Sequence, residues 1–262
     1  MRSVEPQVFL ISRPELDYDA IAGYLKEVGG ESWLEKLDRD QLDNDAQNLA
    51  EFAGRLCYRS WEPGLNPNVT RVREDQTAYL QNILSSLHGS VLEHVSFSFA
   101  LHNVSRVLTH ELIRHRPGVA ISQESLRFVR LDEIPFWFPE WAQQDPELME
   151  RATALLEQME AFQLWMAEHF KLDEEGVPFH EKKHKTSFMR RLAPDGVATG
   201  LVWSANVRTL RHTIESRTAP GAEEEIRLLF QRIGELMREE CPALFGDYTV
   251  EDGAWVPGWR KV

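Results

Sequence analysis

The chain has little cysteine, no long apolar run near its start and too few basic residues to balance its acidic ones. Its two cysteines, Cys57 and Cys241, lie far apart without partners at metal-ligand spacing. That argues against a disulfide scaffold and a cysteine zinc site and points to a reducing, cytoplasmic setting. The first apolar run, residues 8–11, is far short of the ~20 residues of a membrane span and too short for a secretory signal core. Basic residues number 29 against 42 acidic, and the net charge of −13 disfavours nucleic acid and anionic membranes as partners. No repeat, low-complexity tract or clean linker divides the 262 residues, a length that can bury roughly three-quarters of the unfolded surface. No Gly-x-Gly-x-x-Gly or Walker loop follows a strand, so a dinucleotide is not held in Rossmann fashion.

The acidity is uneven. Residues 105–130 hold five arginines against Glu111 and Glu124, a local charge of +3. Residues 182–217 hold eight basic residues against Asp195 and Glu215, a local charge of +6. If folding brings these islands together, they form a confined positive site for a small phosphorylated ligand. The alternative is a scatter of surface ion pairs.

Hydrophobic periodicity predicts α plus β. A strand is expected at 8–11, then short amphipathic turns in the acidic stretch 15–45 around Trp33, Leu34, Leu37 and Leu42. Helices are expected over 45–58, with Leu49, Phe52, Ala53 and Leu56 on one face, and over 74–87. Val95, Phe97, Phe99 and Leu101 alternate with small residues, as a half-buried strand does. A helix over 105–116 follows, on which Arg106, His110 and Arg114 would share one face, expected to lie in the interior. Asp145-Pro146 opens a helix to about Phe170 whose stripe of Met149, Ala152, Leu156, Met159, Phe162, Met166 and Phe170 is expected in the core. A strand at 196–204 and a helix from 222 to 242, burying Ile226, Phe230, Ile233 and Met237, complete the pattern. The tail with Trp255 and Trp259 carries no clear signal.

Five of the nine histidines fall between His88 and His115, in His88-Gly-Ser-Val-Leu-Glu-His94, in the strand after it (His102) and in Thr109-His-Glu-Leu-Ile-Arg-His-Arg116. After Arg116 the sequence Pro-Gly breaks the helix, and the loop that follows offers backbone N–H groups, Ser122, Ser125 and Arg127 to a phosphate. Ser125 lacks an adjacent base and a nucleophile elbow, so it is a ligand donor rather than a nucleophile. His180-Glu181-Lys-Lys-His184 matches the H-E-x-x-H zinc-hydrolase pattern, which makes a zinc hydrolase built on those three residues the rival reading. Against it, three lysines crowd the would-be cation and Arg190 occupies the position of a third histidine.

These motifs resemble those of the flavin-dependent thymidylate synthases, the ThyX family. That family carries a His-x-Ser/Thr-x-x-Glu-His segment, here residues 88–94, then Arg-His-Arg, here Arg114-His115-Arg116, and a serine seven residues on, here Ser125 after eight. A second similar block holds Arg190, Pro194, Asn206, Arg208, His212 and Arg217, continuing to Ala222 and Glu225-Ile226. Gly221 and Glu224 stand where the family often has histidine and tryptophan. The resemblance implies one α+β domain, a curved, mainly antiparallel sheet flanked by long helices, with the acidic stretch at about 15–45 an N-terminal elaboration. It implies FAD as cofactor, held by His88, Ser90, Arg114, His115, Arg116, Gln123, Asn206, Arg208 and His212. It implies dUMP as substrate, met by Glu111, Arg114, Gln123, Ser125, Arg127, Arg190 and Arg217, with Arg217 the catalytic residue that stabilises the uracil anion. Methylenetetrahydrofolate and NADPH are the implied co-substrates, dTMP the product, and a homotetramer with shared sites the implied assembly; no metal is implied. The extra residue before Ser125 leaves a relative that modifies or binds another pyrimidine nucleotide as a further reading.

Overall fold

The computed structural model describes residues 1–36 and 44–260. The expected positions of Leu37 and Leu42 lie outside the described residues. Strands β1 (Arg2–Ser3) and β2 (Gln7–Ser12) precede helices α1 (Tyr18–Val28) and α2 (Glu31–Lys36) in the acidic stretch. These helices have a core of their own, in which Leu25, Trp33 and Trp61 are buried together. Helix α3 (Asp45–Tyr58) has the predicted bounds, capped by the Asn44 side chain, which accepts from Gln47 N–H. Of the predicted face, Leu49 and Ala53 pack half-buried against the main core and Phe52 against Trp33 and Trp61, but polar side chains are buried more deeply. Gln47, Asn48, Glu51 and Arg55 are inside, whereas Leu56 is exposed. The reason is a satisfied polar network: Glu51 accepts from Arg55 at 2.7 Å, Trp33 at 3.0 Å and Gln76 at 2.9 Å. Hydrophobic spacing alone is blind to such a network.

Helix α4 (Gln76–Ser85) leads through a 3-10 turn (Gly89–His94) into β3 (Ser96–Ser105). Phe97, Phe99, Leu101 and Val104 of β3 point inward, the last step lengthened to three residues by a register shift between Leu101 and Val104. Helix α5 (Arg106–Leu112), β4 (Val119–Gln123) and β5 (Pro135–Phe136) follow, β5 pairing parallel with β1. A short α6 (Glu140–Gln143) precedes α7 (Pro146–His169), which Asp145 caps as predicted. Of its expected core stripe Leu156 and Met166 are buried, but Phe162 is exposed and stacks on Trp165, also exposed. Helix α8 (Phe179–Met189), β6 (Ala198–Asn206), α9 (Val207–Thr218), α10 (Glu224–Glu240) and α11 (Pro242–Phe245) complete the main body. The tail forms a hairpin, β7 (Tyr248–Glu251) with β8 (Ala254–Pro257), and Trp255 is buried against Gly234.

The fold is thus mixed helix and sheet. Its main sheet is four-stranded and antiparallel, ordered β2–β3–β6–β4. Helix α10 covers it with Ile226, Phe230, Ile233 and Met237, all fully buried as predicted, and each such side chain contributes about 1.5–3 kcal/mol. Among the described residues no helix is long and apolar enough to cross a membrane.

Candidate active site

Two strand-to-helix joints build the site. β3 ends at Ser105, whose hydroxyl caps α5 by accepting from Leu108 N–H at 3.0 Å. β6 ends at Asn206, whose side chain caps α9 by accepting from Thr209 N–H at 2.9 Å. Ser96 lies opposite Asn206 and Ser105 opposite Ala198, so α5 and α9 leave opposite ends of one antiparallel strand pair. Their C-terminal ends meet. Arg217 of α9 donates from Nη1 to the Glu111 carboxylate at 2.5 Å and from Nη2 to the Glu111 carbonyl at 3.1 Å. Its Nε donates to His115 Nε2 at 2.7 Å.

That bond makes His115 a neutral ring with its proton on Nδ1. Burial, then the charges of Arg217, His212 and Arg114, push its pKa down to about 4. The His212 ring stands edge-on to it at 5.9 Å. Arg217 is therefore an oriented, half-buried cation with three of its five N–H donors engaged and the rest left for a ligand. Such a group stabilises negative charge that develops beside it.

Helix α5 stops at Leu112, short of the expected Arg116. Arg114 and His115 instead close turns onto the carbonyls of Glu111 and Leu112, and Pro117 disfavours helical geometry at Arg116. The shared face predicted for Arg106, His110 and Arg114 does not form, and His110 and Arg114 are exposed rather than interior. In this loop Gly118 adopts φ of +68°, a left-handed turn that glycine makes without strain. Asn206 N–H donates to the Gly118 carbonyl at 3.0 Å, and Thr209 Oγ1 to the Pro117 carbonyl at 2.7 Å. The loop after Arg114-His115-Arg116 is thereby docked on the start of α9.

Gln123 leaves β4 beside Thr109, its Nε2 3.4 Å from the hydroxyl. Ser125 Oγ accepts from Arg127 N–H at 3.3 Å, and the Ser125 carbonyl accepts from the N–H groups of Phe128 and Val129 at 2.9 Å. Helix α8 supports this turn: Thr186 Oγ1 donates to the Arg127 carbonyl at 2.9 Å, and Phe179 stacks on Phe128 at 5.7 Å. Arg127 Nε and Arg106 Nη1 are buried without a hydrogen-bond partner among the described residues, a state that favours an incoming acceptor.

The remaining predicted residues are exposed or engaged with other side chains. Arg208 pairs with Glu93 at 2.5 Å, and the His88 ring stacks on Tyr58 at 5.9 Å. Ser90, Arg114, Arg116 and Arg190 are exposed, and no side-chain hydrogen bond or ion pair joins them to the Arg217 cluster among the described residues. The second basic island is not all available to a ligand. Arg211 is buried, bidentate to Asp247 at 2.7 and 2.8 Å, and anchors the C-terminal hairpin. His180, Glu181 and His184 are exposed on α8, and among the described residues no three His, Cys, Asp or Glu side chains group as metal ligands. Thr186 and Thr209, whose hydroxyls hold the loops, were given no role from sequence; Thr209 stands within the second block, between Arg208 and His212, and Thr186 in no motif. Glu93 was visible in the 88–94 segment and carries no role there.

The model of the Thy1 family, described as "Thymidylate synthase complementing protein", matches residues 40–243. A flavin-dependent thymidylate synthase of Corynebacterium diphtheriae is 33% identical over 220 residues, 82% of this chain and 85% of that one. One of Mycobacteroides abscessus is 34% identical over 79% of this chain and 83% of its own. Thymidylate synthase X of Helicobacter pylori, solved with FAD and dUMP, shares the fold with a TM-score of 0.54 at 21% identity, over 77% of this chain and 93% of that one.

Proposed function

The chain belongs to the flavin-dependent thymidylate synthase family, and from that premise we propose that its Arg217 cluster converts dUMP to dTMP. The one-carbon donor is 5,10-methylenetetrahydrofolate and the reductant NADPH. FAD, when bound, would supply the redox chemistry, and no cysteine of this chain is assigned as a nucleophile. Consistently, Cys241 is buried in the core and Cys57 donates back to its own helix at the Ala53 carbonyl.

The single observation that carries the reading is the Arg217 fork on Glu111 and His115, formed between the two blocks that the sequence singles out. Arg217 holds the negative charge that builds on the uracil, while Glu111 and Gln123 orient the base. Ser125, Arg127 and Arg190 take the nucleotide phosphate, and the partnerless buried Arg127 Nε suits an anionic oxygen. The donor set also fits FAD. Ser90, Arg114, Arg116 and His212 are exposed, and with His88, His115, Gln123, Asn206 and Arg208 they offer a pyrophosphate several N–H and O–H groups.

The protein acts as one catalytic domain on a curved, non-Rossmann sheet, with residues 15–45 an elaboration. It is a cytoplasmic homotetramer. Exposed Leu155, Phe162 and Trp165 on α7 support an assembly, since a partner subunit covers such apolar surface. Purified protein is expected to be yellow, its flavin absorbance bleached by NADPH without oxygen. Protein that stays colourless after incubation with FAD would sink the proposal.

A further inference from the structure

Glu225 stands in the first turn of α10, 2% exposed, and no role above uses it. Both carboxylate oxygens are engaged at the β3–α5 joint. Oε1 accepts from Ser105 N–H at 2.7 Å, and Oε2 accepts from the Ser105 hydroxyl. That hydroxyl oxygen in turn accepts from Leu108 N–H, so Glu225 fixes the group that caps α5. An ionisable carboxyl is an expensive choice for a core contact, and burial pushes its pKa up to about 7.

The contact closes a ring. From Ser105 the chain runs along α5 to Glu111, crosses the ion pair to Arg217, and continues through residues 218–224 to Glu225, which returns to Ser105. The segments that present Glu111 and Arg217 to each other are therefore joined at both ends. Helix α5 has seven residues, about 10 Å of rise, and is too short to hold its own direction. Fixing its start decides where Glu111 and His115 stand.

We propose that Glu225 is a positioning residue for the reaction, locking α5 through Ser105 so that Glu111 and His115 hold Arg217 in its working orientation. This rests on Arg217 acting on the pyrimidine.

The test is steady-state dTMP formation by the FAD-loaded full chain, with bound flavin and melting temperature recorded for each variant. Glu225→Leu leaves both Ser105 donors without an acceptor, and kcat is expected to fall at least tenfold while KM for dUMP stays within about threefold and flavin content is unchanged. Glu225→Gln keeps an acceptor for Ser105 N–H and is expected to stay within about threefold of wild-type kcat. Ser105→Ala should lower kcat in the same sense and combine with Glu225→Leu less than additively. If Glu225→Leu does not fold, Ser105→Ala decides. Unchanged kcat in the folded Leu or Ala variants, or equal losses in Leu and Gln, would overturn the role. A flavin-loaded wild type that makes no dTMP instead overturns the thymidylate reading itself.

Discussion

Arg217 has an acceptor at Nε and one at each terminal nitrogen, which a lysine cannot reproduce because its charge has no fixed plane. Arg217→Ala is expected to abolish dTMP formation and to leave FAD bound, read from turnover and flavin absorbance; retained turnover would refute the assignment. A second expectation concerns Gly118, where a Cβ would stand 2.3 Å from Asn206 Nδ2 on a left-handed backbone. Gly118→Ala should cost at least about 1 kcal/mol, a fall in Tm of roughly 2–4 °C, and weaken flavin binding. Two titrations oppose each other, one at the buried Glu225 and one at the half-buried His115. Glu225, raised from 4.5 to about 7, holds a proton that the unfolded chain has lost, so its contribution to stability falls as pH rises through that window. His115, lowered from 6.5 to about 4, does the reverse, and its contribution is lost as pH falls from 6.5 toward 4. Denaturant titrations should therefore show Glu225→Gln gaining on wild type between pH 4.5 and 7, by at most about 1.4 kcal/mol per pH unit. An offset independent of pH would contradict the raised pKa.

Among the elements, those whose burial is purely apolar were legible in the sequence. The two-residue alternation of β3 and the inward stripe of α10 appear as predicted, because burial on one face leaves a periodic trace. Where polar contacts decide, the trace is lost. Helix α3 turns Gln47, Asn48, Glu51 and Arg55 inward, and α5 ends four residues early in turns that hydrophobic spacing does not encode. The hairpin holding Trp255 depends on Arg211 and Asp247, 36 residues apart. The site shows the same division. Motif resemblance named Arg217, His115 and Glu111, which the fold brings together, but it gave no role to the supporting threonines, Thr186 outside every motif and Thr209 inside the second block. The lysine- and histidine-rich α8, which matches a zinc motif by spacing, instead carries the Arg127 loop through Thr186 and Phe179. Thr186→Val keeps the side-chain volume and removes that hydrogen bond, so KM for dUMP should rise roughly threefold to tenfold with kcat little changed. An unaltered KM would detach α8 from the substrate loop.

At the scale of the molecule, the net charge of −13 averages over unlike parts. Folding brings Arg217 of the second basic island to Glu111 and His115 of the first, while Arg211 is consumed internally. What is left is a local positive site on an acidic body, suited to phosphorylated small molecules rather than polyanions. The exposed aromatics of α7 lead to an expected tetramer by light scattering, which Trp165→Glu should dissociate. The central claim is tested most directly by incubating the FAD-loaded protein with dUMP, methylenetetrahydrofolate and NADPH and measuring dTMP. Catalytic, NADPH-dependent dTMP formation that disappears in Arg217→Ala is the predicted result; no dTMP from folded, flavin-loaded wild type would contradict it.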